Sequence, residues 1–179
     1  MSVDIRIRNG ANIKLKGESE KILSDASTSE TFALKPDNFF GIVPRLIVKE
    51  GDKIAKGAPV FHSKKDPRIL FTSPVSGTVK EVIRGAKRKI LKIVIQQQEG
   101  DVITHKVPSK HLTRKNINEI LLKSGAWPFI KQRPYGIIAN PDITPKAIYI
   151  STYASAPLDV DFQFLLKNNK EDFQKGIDI

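Results

Sequence analysis

The chain has 179 residues, a length that accommodates one full domain and part of a second. It contains no cysteine, which excludes a disulfide framework, a thiolate metal or iron–sulfur site and a cysteine nucleophile. Its formal net charge is +11, from 30 basic and 19 acidic side chains. The whole excess falls in residues 41–115, which hold 17 basic and 6 acidic side chains, and both flanks are neutral. The charge therefore defines one basic module between two neutral segments.

Short apolar segments separated by glycine-containing turns predict strands through the first hundred residues. Residues 5–8 and 13–16 alternate apolar and basic side chains, which is the period-2 pattern of half-buried strands. Many short strands with turn signals at such spacing favour an all-β barrel or sandwich. The further strands are predicted at residues 46–48, 59–61, 69–71, 78–79 with 82–83, and 90–95.

Helix signals come only later in the chain. Thr113 is a suitable N-cap for a helix with one apolar face, and Gly125 is a typical residue at its end. Four prolines in residues 126–145 predict an ordered connector. A buried strand at 147–152, a helix at 159–169 and a helical continuation at 171–179 follow. Because α/β domains begin with a strand followed by a helix, we expect a truncated α/β domain and a longer parent protein.

The basic module contains a quasi-repeat of about 35 residues. Gly41 and Gly51 precede one apolar pair at 60–61, and Gly77 and Gly85 precede another at 94–95. The pattern resembles the biotinyl/lipoyl-type barrel-sandwich hybrid. The residues that carry the resemblance are 48–57, VKEGDKIAKG, and 73–79, SPVSGTV.

This resemblance implies a β-rich α+β protein made of three parts. Residues 1–40 supply flanking strands, and residues 41–112 form the barrel-sandwich hybrid domain. Residues 113–179 hold the helix, the Pro-rich connector and the start of the α/β domain.

Carrier proteins of the hybrid class bear a lipoyl or biotinyl group on a lysine between the two halves. Lys64 and Lys65 stand near that position here, in the stretch FHSKKDP. The residues that normally surround the modified lysine are absent, and Asp66-Pro67 follows instead. A solvated basic hairpin is therefore the favoured interpretation, and a carrier or adaptor domain remains the alternative from another functional class.

Over most of its length, the chain resembles the A-subunit of the bacterial sodium-translocating NADH:quinone oxidoreductase. Each matching segment is weak alone, but the segments occur in the right order, and the combination is specific. The segments are 7–10 (IRNG), 64–67 (KKDP), 71–79 (FTSPVSGTV), 84–88 (RGAKR), 124–129 (SGAWPF), 133–134 (RP), 145–150 (PKAIYI) and 157–158 (PL).

The resemblance implies a peripheral subunit on the cytoplasmic side of the bacterial inner membrane. The complex of that family oxidises NADH, reduces quinone and exports Na+. Its flavins and iron centre belong to other subunits, and the A-subunit is linked to quinone binding. No covalent cofactor, no catalytic residue and no metal is expected on this chain. The C-subunit of the related Rnf electron-transport complex shares the hybrid domain, but its Gly-rich nucleotide loop is missing after Gly125.

Two clusters are candidate binding sites. The favoured interpretation of Trp127 and Phe129 is that they pack two domains together. With Arg133 and Tyr135, they also combine the aromatic and hydrogen-bonding groups that a quinone headgroup requires. We therefore treat this cluster as a candidate quinone or partner contact.

Arg84, Lys87, Arg88 and Lys89 form the densest basic cluster, beside a tight turn. Four like charges require solvent or an anionic partner. Another subunit or an anionic membrane surface is favoured over nucleic acid.

The remaining polar residues suggest no chemistry. His62, His105 and His111 are scattered through basic sequence without neighbouring carboxylates, so surface histidines are favoured over a metal site. Asp159 and Asp161 stand at a predicted helix start, where carboxylates act as caps and favour the helix dipole.

Overall fold

A computed structural model describes residues 15–17, 20–106, 112–153, 156 and 159–178 of the chain. Contacts between backbones divide the chain into two compact units, residues 27–144 and residues 1–26 with 145–179. The predicted strand at 5–8 and the first half of the one at 13–16 lie outside the described residues. Leu15 and Lys16 are described and are not in a strand.

The unit of residues 27–144 contains two antiparallel sheets and a hairpin. The first sheet has the order β1-β7-β6-β3, the second has the order β2-β4-β5, and β8 pairs with β9. The strands are β1 (Thr31–Leu34), β2 (Pro44–Leu46), β3 (Lys53–Ile54), β4 (Pro59–Ser63), β5 (Leu70–Thr72), β6 (Gly77–Arg84), β7 (Ile90–Gln97), β8 (Lys131–Gln132) and β9 (Ile137–Ile138).

The predicted strands are confirmed from β4 to β7. The strand predicted at 46–48 is displaced towards the N-terminus, because Pro44 already pairs with Ser63 at the start of β2. The two halves of the quasi-repeat interlock, since Ile54 of the first half pairs with Gly77 of the second. Because the halves interlock, each buries part of its apolar face against the other in a shared core.

One core lies between the two sheets. Val60 and Phe61 of β4 contribute from one side, and Val79, Ile93 and Ile95 of the first sheet contribute from the other; all five are fully buried. An aromatic row continues outward from this core. Phe61 stacks on Phe71 at 4.4 Å between ring centroids, Phe39 meets Phe71 edge-on at 4.6 Å, and Phe129 meets Phe39 at 5.9 Å.

Helix α1 (Arg114–Lys123) begins and ends where the sequence predicts. The Thr113 hydroxyl accepts a hydrogen bond from the Asn116 N–H, the usual N-cap contact. Gly125 follows the helix with φ +73°, and a Cβ at this position would lie 2.6 Å from Thr72 Oγ1. Glycine is required here both for the backbone angle and for the close approach of the helix end to β5.

The compact unit extends past both ends of the predicted hybrid domain of residues 41–112. Strand β1 pairs with β7 on the N-terminal side, and Leu122 of α1 is buried in the shared core. Residues 126–145 form an ordered connector, with a 3-10 helix at Trp127–Phe129 followed by the β8–β9 hairpin. The division at residues 40 and 112 stays a prediction about the family's modules.

In the second unit, the predicted strand at 147–152 is wrong. This segment has no regular structure, and its side chains are exposed, Tyr149 by 90%. A strand needs a neighbour to satisfy its backbone groups, and none of the described residues pairs with this segment.

The predicted helix at 159–169 shortens to α2 (Phe162–Leu165), and α3 (Lys170–Asp178) agrees with the predicted continuation. The α2 N-terminus is capped by Asp161, whose carboxylate accepts from Phe164 N–H.

Candidate functional site

The aromatic cluster predicted from residues 127–135 divides into an inward and an outward part. Trp127 is only 6% exposed, and its indole N–H donates to the Ala139 carbonyl at 2.8 Å. Its one donor is therefore already used within the fold. Trp127 packs the 3-10 helix into the core and is not open to a ligand.

The other three residues of the cluster face solvent. Phe129 is 73% exposed, and Arg133 and Tyr135 are exposed on the turn between β8 and β9. This turn closes with a hydrogen bond from Gly136 N–H to Gln132 O at 3.0 Å, and the Arg133–Pro134 peptide bond is cis. The ring of Phe129 contacts Phe39, so the aromatic row from the core ends on this exposed ring. An exposed aromatic face supported from below is a suitable platform for a flat ligand.

The basic cluster lies on the turn between β6 and β7. Lys87 and Arg88 have φ of +53° and +61°, and Lys89 N–H donates to Ala86 O at 3.2 Å across them. Arg84 lies over the same turn, since its Nη1 donates to the Arg88 carbonyl at 3.2 Å. All four cationic side chains are therefore brought to one hairpin end, as the sequence indicated.

A surface ion-pair group that the sequence did not indicate lies beside the β4–β5 hairpin. The Arg68 guanidinium donates to both carboxylate oxygens of Asp66 and to both of Asp142, over distances of 2.7–3.0 Å. These hydrogen bonds hold the pKa of each carboxyl below its ordinary value of 3.8 and raise the pKa of Arg68. Asp66 and Arg68 are near in sequence, but Asp142 is 74 residues away, and no local pattern reveals it.

We expect this ion-pair group to make stability depend on acid pH. A carboxyl with a lowered folded-state pKa contributes stability above its unfolded pKa and loses it as pH falls through the folded value. Arg68→Gln should therefore have a lower urea midpoint than the parent chain above about pH 5, and the gap should close as pH falls well below 3.8.

Because the group is exposed, its effect should be modest and should weaken with added salt. The urea midpoint of Asp142→Asn should also fall below that of the parent chain at higher pH and approach it in acid, with a smaller difference than for Arg68→Gln. If the difference in urea midpoint between the parent chain and Arg68→Gln stayed the same at the lowest pH, Arg68 would act by packing alone.

Lys64 and Lys65, the carrier-type positions, are exposed on the β4–β5 hairpin. The backbone N–H of Lys64 donates to Val43 O at 2.8 Å, and that of Lys65 donates to Ser63 Oγ at 3.3 Å. The backbone of this hairpin is thus tied to its neighbours while both ammonium groups face solvent. The exposure of these two side chains agrees both with a solvated hairpin tip and with a lysine that carries a lipoyl or biotinyl group.

Two of the three histidines lie within the described residues. His62 Nδ1 contacts the Ser63 carbonyl at 2.9 Å, His105 is exposed, and His111 lies outside the described residues. Within the described ranges, no three His, Asp, Glu or Cys side chains come together as metal ligands would. Over the same ranges, no helix is long and apolar enough to cross a membrane.

The two sheets and their shared core define a barrel-sandwich hybrid module, and the sequence after it is that of an α/β domain. Residues 5–98 match the family profile described as the NqrA N-terminal barrel-sandwich hybrid domain, and residues 112–179 match the NqrA second alpha/beta domain. The two matches follow each other in the order that the sequence predicts. The chain belongs to the NqrA family.

Curated relatives agree with the family profiles. The chain is 31% identical to the A-subunit of the Na(+)-translocating NADH-quinone reductase of Histophilus somni and to that of Pasteurella multocida, in each case over 98% of this chain. It is 32% identical to the corresponding subunit of Neisseria meningitidis over 97% of this chain. The chain spans 40% of the length of each of these relatives.

Proposed function

We propose that this chain is the N-terminal part of the A-subunit of a Na+-translocating NADH:quinone reductase. The observation that carries the proposal is the pair of family matches in order along nearly the whole chain, together with relatives named as that subunit. In this proposal, the protein is peripheral on the cytoplasmic side and binds quinone. The flavins and the iron centre belong to its partner subunits.

The quinone contact is assigned to the outward part of the aromatic cluster. A quinone headgroup is flat and apolar on its faces and has two carbonyl acceptors at its edges. The ring of Phe129 offers the flat surface, and the Tyr135 hydroxyl and the Arg133 guanidinium offer donors. Trp127 supports this surface from within, because it anchors the 3-10 helix that ends in Phe129. These residues hold and orient the quinone, and they supply no electrons.

The sole tryptophan of the chain makes this assignment measurable. Trp127 is two residues from Phe129, so a quinone bound there should quench its fluorescence with a saturable dependence on quinone concentration. Phe129→Ala should weaken the apparent affinity by about fivefold, since an aromatic contact contributes roughly 1 kcal/mol beyond its buried area. A titration of the purified chain with a short-chain ubiquinone analogue measures both.

Tyr153→Phe is the matched control for Tyr135→Phe. Both tyrosines are exposed, but only Tyr135 belongs to the proposed contact. The proposal predicts weaker quenching of Trp127 fluorescence in Tyr135→Phe and in Arg133→Gln than in the parent chain. Quenching in Tyr153→Phe should equal that of the parent chain. Linear quenching of equal slope in every variant, as free tryptophan shows by collision, would contradict the quinone assignment.

A further inference from the structure

The end of the first sheet near residue 87 brings together cations that are distant in sequence. The four residues of the basic cluster occupy the β6–β7 turn and its base. Leu34 pairs with Ile93, so Lys35 and Lys92 lie one step nearer the same end of the sheet. The 3-10 helix at Pro36–Asn38 adjoins this end, because the Lys89 ammonium group contacts Asp37 at 2.8 Å. Six cations therefore lie at one end of the first sheet, and one of them, Lys89, contacts the adjoining 3-10 helix.

Little of this charge is neutralised within the fold. Asp37 pairs with Lys89, while Glu50 is engaged further along β6, where it accepts from the Val82 N–H at 2.7 Å. Across the described part of the chain, no carboxylate lies within ion-pair distance of Lys87 or Arg88. The tip of the turn is thus a positive surface that has no ion-pair partner within the described ranges.

The backbone of the turn is unfavourable for the two residues at its tip. Two consecutive residues with positive φ, bridged by the Ala86–Lys89 hydrogen bond, make a type I′ turn. This turn favours Asn-Gly, because glycine and asparagine adopt these angles at less cost than other residues. The chain places Lys and Arg there instead, so that two cations project at the tip at a cost in turn stability.

Two apolar side chains that adjoin these cations along the chain are exposed. Phe40 is 68% exposed and follows the 3-10 helix that carries Asp37. Leu91 is 39% exposed and lies at the base of the turn, within 3.2 Å of where a Gly85 Cβ would be. Exposed apolar groups among Lys and Arg are typical of surfaces that rest in the headgroup layer of a bilayer.

We propose that this end of the sheet docks on anionic phospholipid headgroups. The cations on the turn and on the neighbouring strands contact the phosphates, and Phe40 inserts shallowly beside them. The inference goes beyond the proposed function but relies on it for proximity to a membrane. An acidic face of another protein would also match the charge, but it would give the chain no preference for anionic vesicles in the test below.

Flotation of the purified chain with lipid vesicles tests the proposal. We expect binding to phosphatidylcholine vesicles that contain about one third phosphatidylglycerol at roughly 0.1 M salt, and weak binding to phosphatidylcholine alone. Lys87→Asn with Arg88→Gly should lower the partition coefficient by about 30-fold, from the usual contribution of two basic residues. Phe40→Ser should lower it further without changing its salt dependence.

The Lys87→Asn, Arg88→Gly variant also separates docking from folding. Asn-Gly suits the type I′ turn, so the thermal midpoint of this variant should rise by roughly 3–5 °C while binding falls. Lys115→Asn with Lys123→Asn removes the same charge from α1 and should retain binding. The proposal would be overturned if the turn variant and the α1 variant lost vesicle binding equally, or if the parent chain bound both kinds of vesicle equally well. Because no quinone is present, the result is independent of the quinone titration.

Discussion

Gly77→Ala should destabilise the fold by at least about 3 kcal/mol, the largest effect we expect from a single methyl group. An added Cβ would lie 1.9 Å from the Gln96 carbonyl oxygen, in the backbone of the strand that pairs with β6. The β7 backbone at Gln96 cannot move away from the added Cβ without breaking the hydrogen bonds between β6 and β7. In this ladder, Gly77 pairs with Gln97 and Thr78 pairs with Gln96. Thermal unfolding should show a midpoint lowered by about 10 °C or more.

Gly51→Ala is the matched control for that substitution. Gly51 has φ +89°, but nothing lies within 4 Å of the added Cβ, so only the backbone preference is tested. We expect a loss of about 1–2 kcal/mol. If the two alanine variants were equally stable, the close approach of Gly77 to β7 would not be what requires glycine.

Phe61→Ala should cost about 3–5 kcal/mol, because it removes a fully buried ring from the centre of the core. The ring stacks on Phe71, and Phe71 in turn contacts Phe39 beneath the exposed Phe129. The substitution should therefore remove packing contacts from the aromatic row as well as from the core. Urea unfolding should show a lower midpoint with an unchanged slope.

Phe61→Leu distinguishes ring stacking from simple burial. Leucine fills much of the volume but cannot stack, so we expect a smaller loss of about 1–1.5 kcal/mol. If Phe61→Leu were as damaging as Phe61→Ala, the ring geometry would matter more than the apolar volume. A near-neutral Phe61→Ala would instead mean that the core does not depend on this residue.

Local signals predicted the elements that depend on local physics. Thr113 caps α1 and Gly125 ends it, because capping and left-handed backbone are properties of a few adjacent residues. Short apolar segments between glycine-containing turns predicted β6 and β7, because buried strands need apolar side chains and the turns need glycine. The hybrid fold followed from the glycine spacing and the segments that resemble the family.

Long-range pairing accounts for what the sequence did not reveal. The apolar pattern at 147–152 predicted a strand, yet pattern alone cannot supply the neighbour that a strand requires. The ion pair between Arg68 and Asp142 joins residues that no local spacing relates. Lys35 and Lys92 come to the same end of the first sheet only through the register of β1 on β7. Trp127 and Phe129 are two residues apart, but a single 3-10 turn directs one inward and the other to solvent.

Co-purification from membranes tests the central proposal most directly. The chain is tagged in its own organism, the membranes are solubilised in mild detergent, and the tagged material is assayed for flavin and for quinone reduction by NADH. We predict that flavin-containing membrane subunits elute with the chain and that the quinone reduction is stimulated by Na+. A chain that elutes alone, or with a lipoyl or biotinyl group on Lys64 or Lys65, would contradict the assignment to this complex.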